Sequence, residues 1–111
     1  MKKDINKLVR DHIPTIIKQN NQIPQIKILN DEDYLHYLKL KLVEEANEVN
    51  NSTSKKDLTN ELADVLEVLE ALINASDISY DDILKIKELK AKTNGKFDQK
   101  IYLIQIDDQD E

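Results

Sequence analysis

Apolar residues recur along the middle of the chain every three or four positions. Leu35, Leu38, Leu42, Ala46 and Val49 form one line; Leu58, Leu62, Val65, Leu66, Leu69 and Ile73 form a second. At about 100° per residue, each line is one face of an α-helix. The spacing predicts a helix from about Asp31 to Asn50, with Asn30 or Asp31 as its cap. It predicts a second from near Ser54 to about Ala75, where Ser54 and Asp57 stand in a capping-box-like arrangement. A shorter helix is expected around Asp11–Asn20, with Pro14 tolerated only in its opening turn. A fourth follows Ser79 and stops at Gly95, the only glycine. Gln25–Leu29 and Lys100–Ile106 instead alternate with period two, so a small two-stranded ribbon at the edge of a helical body is expected.

Composition supports a mainly α, antiparallel bundle of about four helices. One Gly in 111 residues leaves few of the tight turns an all-β sandwich needs. The length suits one domain, expected over residues 1–106, followed by an acidic flexible tail over 107–111. No apolar run reaches membrane-spanning length, and Met1-Lys2-Lys3-Asp4 leads into no apolar stretch, so a cytoplasmic protein with no membrane partner is expected. The absence of Cys removes thiolate metal sites and cysteine nucleophiles. A net charge of −6 argues against nucleic acid as a partner, because phosphate backbones are bound by dense Lys and Arg. It leaves room for nucleotide chemistry, since carboxylates hold a divalent cation that brings phosphates with it.

The informative residues are acids. Glu44-Glu45-Ala46-Asn47-Glu48 closes one long helix, and Glu61-Leu62-Ala63-Asp64 lies near the middle of the next. Glu45 falls at the border of its apolar stripe, and Glu61 falls angularly between Val65 and Val68, where a core residue is expected. A short connection makes the helices antiparallel neighbours, which puts Glu44 and Glu45 about level with Glu61, and Asp64 one turn further on. Like charges gathered there repel and pay desolvation unless a hard cation such as Mg²⁺, or alternatively Mn²⁺, neutralises them. The competing reading is a solvated acidic face, the usual state of Glu-rich helices and the one that suits Glu67 and Glu70.

EExxE, then twelve residues, then ExxD resembles the all-α nucleoside triphosphate pyrophosphatases, the MazG-like superfamily that includes phosphoribosyl-ATP pyrophosphohydrolases. The opening Lys7-Leu8-Val9-Arg10-Asp11-His12-Ile13-Pro14, Asp33-Tyr34-Leu35, Glu61–Glu67 and Gly95-x-Phe97 resemble a small house-cleaning branch of it. The resemblance implies hydrolysis of a nucleoside triphosphate, ordinary or non-canonical, between its α and β phosphates, giving a monophosphate and pyrophosphate. It makes Glu45, Glu48, Glu61 and Asp64 metal ligands, and Glu44 a ligand or a supporting acid. One of these carboxylates would orient or deprotonate the attacking water, while Mg²⁺ offsets charge on the phosphates. Relatives assemble as dimers or tetramers, so a homodimer or homotetramer is expected.

Basic residues complete the phosphate clamp. Arg10, the only Arg, has the planar fork for a bidentate phosphate contact, or it simply pairs with Asp11 or the acidic face. Lys87, Lys90, Lys92 and Lys96 are candidates too, although a helix C-terminus favours lysines in any case. Phe97 reads as a core plug or as a ring that stacks on a base. Two other readings stand beside the triphosphate one. Phosphoribosyl-ATP is an alternative substrate, and a non-catalytic helical module that dimerises or binds a partner is an alternative class.

Overall fold

The computed structural model describes residues 2–109. Its elements in chain order are α1 (Ile13–Gln19), α2 (Asp31–Asn50), α3 (Lys55–Ala75) and α4 (Tyr80–Asn94), so the fold is mainly α. The local signals account for most of these limits. Asn30 caps α2 by accepting the Asp33 backbone N–H at 2.8 Å, and Ser54 caps α3 by accepting that of Asp57 at 3.1 Å. Gly95 ends α4 at φ +83°, ψ −176°, backbone space that is essentially restricted to glycine. α1 starts two residues later than Asp11, with Pro14 in its first turn, where the missing N–H costs nothing.

Two compact units divide the chain after Ile78. In the first, α2 and α3 pack together as a hairpin joined by residues 51–54. Leu38 of α2 and Val68 of α3, 3% and 9% exposed, are the buried apolar residues among those described. Half-buried Tyr34, Leu35, Leu42 and Val49 continue the seam on α2, as Val65, Leu69 and Leu72 do on α3. The seam on α3 departs from the expected stripe. Leu58, Leu62 and Leu66 are exposed, while Glu61 and Asp64 are half-buried. The helix has rolled so that its acidic edge, rather than its leucine line, turns inward.

The second unit carries α4, on which only Ile83 and Ala91 are half-buried. Phe97 is 98% exposed, so it plugs no core. No strand occurs among the described residues, and both alternating segments are irregular. The ribbon is therefore not formed; an isolated strand pair is marginal without packing support. Of the acidic tail, residues 107–109 are exposed, and Asp110 and Glu111 lie outside the described residues. No helix among the described residues is long and apolar enough to cross a membrane.

Candidate metal centre

Glu45 on α2 and Glu61 and Asp64 on α3 each turn one carboxylate oxygen toward a common point, all within 4.8 Å of one another. The hairpin explains why. Glu61 and Asp64, three residues apart, share one face of α3, and the four-residue connection brings that face level with Glu45. Glu45 is the buried charged residue of the described set, and Glu61 and Asp64 are half-buried beside it. Partial burial pushes the Glu61 carboxyl above its ordinary pKa, and the negative charges of Glu48, Asp64, Glu45 and Asp57 push it the same way.

The remaining acids are placed differently. Glu48 is exposed on α2 and outside the converging trio, although its charge acts on Glu61. Glu44 faces cations. Lys7 donates to its Oε1 at 2.9 Å, and Lys41 lies 3.4 Å from its Oε2. The Lys7 hydrogen bond, with the charges of Lys41 and Lys7, holds the Glu44 carboxyl below its ordinary pKa against the opposing effect of burial. Lys41 also stands 3.7 Å from Glu45 Oε1. Arg10 Nη2 donates to Asp64 Oδ1 at 2.7 Å, so the pairing with the acidic face is formed.

The four lysines of the expected clamp belong to the second unit. Lys92 pairs with Glu88 one turn back at 3.6 Å, and Lys87, Lys90 and Lys96 are exposed. Sequence reasoning gave no role to Lys41 or Lys7. The first was detectable, since it stands three and four residues before Glu44 and Glu45 on one helix face. The second was not, because 37 residues separate Lys7 from Glu44.

The donor set fits a hard cation. Oxygens that share one ion at about 2.0–2.6 Å lie at most about 4–5 Å apart, which matches the spread of the trio. A hollow of about 430 Å³ lies elsewhere. It is bordered by Tyr34, Glu67, Glu70 and Asn74, about three turns along α2 from Glu45, and none of the trio lines it.

A family model described as phosphoribosyl-ATP pyrophosphohydrolase matches residues 9–92, well over half of the chain. The chain belongs to that family. The family is part of the MazG-like all-α nucleoside triphosphate pyrophosphatase superfamily, so the resemblance carried by the acidic motifs is correct. Membership makes the protein a pyrophosphohydrolase acting on a nucleotide, within a metal-dependent family. The matched stretch includes Arg10, Glu44, Glu45, Glu48, Glu61, Asp64, Lys87, Lys90 and Lys92, and ends before Lys96. No curated protein and no solved structure matches the chain.

Proposed function

We propose that the protein hydrolyses a nucleoside triphosphate to a monophosphate and pyrophosphate in a Mg²⁺-dependent reaction, with Mn²⁺ able to substitute. The observation that carries this reading is the convergence of Glu45, Glu61 and Asp64 in a chain of this family. Glu45, Glu48, Glu61 and Asp64 would hold the cation. When bound, the cation offsets the charge that develops on the phosphate oxygens and the leaving pyrophosphate. One of these carboxylates orients or deprotonates the attacking water. Glu44, kept ionised by Lys7, supports the site. Arg10 binds a phosphate oxygen, and Lys87, Lys90, Lys92 and Lys96 add positive charge.

Residues 1–106 act as one catalytic domain on this reading. Its support is that the family match, over residues 9–92, extends past the division after Ile78. The protein works in the cytoplasm as a homodimer or homotetramer, a role that would cover the exposed Leu58, Leu62 and Leu66. A second reading, phosphoribosyl-ATP as the substrate, is favoured by the description of the family itself. Both substrates are cleaved at the same α–β bond, so the site chemistry is common to them.

The test is pyrophosphate release from a panel of ordinary and modified triphosphates and phosphoribosyl-ATP, with Mg²⁺ or Mn²⁺, alongside Glu61→Gln. The expected result is metal-dependent release that falls at least about a hundredfold in the variant, since losing even a group that supports a ligand costs 10–100-fold. No release from any of them by folded protein would favour the non-catalytic helical module.

A further inference from the structure

Two cations just before α1 reach opposite walls of the acidic hairpin. Lys7 is bound to Glu44 on α2 at 2.9 Å and Arg10 to Asp64 on α3 at 2.7 Å, so residues 7–10 bridge the two helices. Three residues of chain span at most about 11 Å, so the two cations are tethered near one another. The same segment is packed as well as paired. Asn6, Lys7 and Leu8 line an open hollow of about 110 Å³ with Tyr37, Leu40, Lys41 and Glu44 of α2, and Leu8 is half-buried. Asn6 turns the chain into this position at φ +51°, a conformation that Asn tolerates better than most residues.

The strap has a consequence for Asp64. One of its oxygens already accepts from a guanidinium, so a cation must share the carboxylate with a fixed positive charge or displace it. In either case Arg10 weakens binding of a bare cation. A phosphate reverses the sign, because it brings negative charge and the guanidinium fork has further N–H groups to donate. Cation and phosphate then favour each other's binding, by the same factor in each direction. Lys7 contributes at a distance. Its Nζ donates to Glu44, which ties the segment that carries Arg10 to α2.

We propose that residues 7–10 form a cationic strap in which Lys7 is a positioning residue for Arg10, and that the strap lowers affinity for a free divalent cation while raising affinity for the cation together with a phosphate ester. The proposal rests on the metal and phosphate roles given above, and deepens them by naming how binding of the two ligands is coupled.

The test reads Mn²⁺ binding to the full chain from the electron paramagnetic resonance signal of the free ion, so it does not depend on turnover. Arg10→Gln is expected to bind Mn²⁺ about three- to tenfold more tightly than wild type, the effect of removing one charge near a divalent ion with solvent screening. Lys7→Met should shift it in the same direction by less, and Arg10→Lys should return close to wild type. With an α,β-methylene triphosphate present, the order inverts, and wild type retains Mn²⁺ better than Arg10→Gln. The KM of both charge-removing variants should rise by a larger factor than kcat falls. Mn²⁺ affinity in Arg10→Gln equal to or weaker than wild type would overturn the strap, even if wild-type hydrolysis were intact. Tighter Mn²⁺ binding by the variant with no hydrolysis of any nucleotide by wild type would instead sustain the strap and remove the enzymatic reading.

Discussion

Glu61 shows most directly how environment turns an ordinary helix former into a chemical group. Its carboxyl is pushed above the usual range by partial burial and by four neighbouring acids. The folded state therefore keeps the proton to a higher pH than the unfolded chain does, and stability falls as pH rises through that interval. Glu61→Gln removes the ionisation. In the absence of divalent ions the variant should melt above wild type at pH 7, and the difference should vanish below about pH 4, where Glu is protonated in both states. Adding Mn²⁺ should reverse the order at pH 7, because wild type gains stability by mass action at an intact site. Melting curves across pH with and without Mn²⁺ check both statements. Equal responses of the two proteins to Mn²⁺ would place the cation elsewhere.

Each helix combines an intrinsic signal with packing. The caps at Asn30 and Ser54 and the glycine after α4 are local devices, readable because a side chain two or three positions away satisfies the free N–H groups, or because only one residue fits the backbone. Gly95→Ala meets no atom within 4 Å, so its expected cost of about 1–3 kcal/mol is backbone strain alone. It should appear as faster amide exchange in the last turn of α4. Leu38 tests packing instead. At 3% exposure it is the most buried side chain described, and Leu38→Ala should cost about 2–5 kcal/mol in denaturant unfolding. The roll of α3 was not legible in its periodicity. Its apolar arc is wide enough to serve two faces, and the choice between them depends on what α2 presents opposite.

At the scale of the molecule, a hairpin with two buried apolar side chains leaves much hydrophobic surface uncovered. Leu58, Leu62 and Leu66 lie along one line of α3, at 37%, 46% and 60% exposure, and Leu40 and Val43 are exposed on α2. On the proposed homo-oligomeric reading these residues are covered by a second copy. Leu62→Glu should then shift sedimentation toward the monomer, because a buried carboxylate in such an interface has no partner. The same mutant with unchanged sedimentation would assign the leucine line to some other role.

The sequence by itself determined the four helices, most of their ends and the family, because caps, helical spacing and the EExxE and ExxD motifs are carried by residues close along the chain. It also put Glu45 level with Glu61, and Asp64 one turn further on, since a short connection between two regular helices leaves little freedom. Only the tertiary structure decided that Glu48 stands apart from the trio, that α3 leaves Leu58, Leu62 and Leu66 exposed, and that Lys7 and Arg10 span the two walls. Those outcomes depend on helix rotation and on contacts 37 and 54 residues apart in the chain. Periodicity records which faces a helix has, whereas the energy of packing one helix on another selects the face that is used.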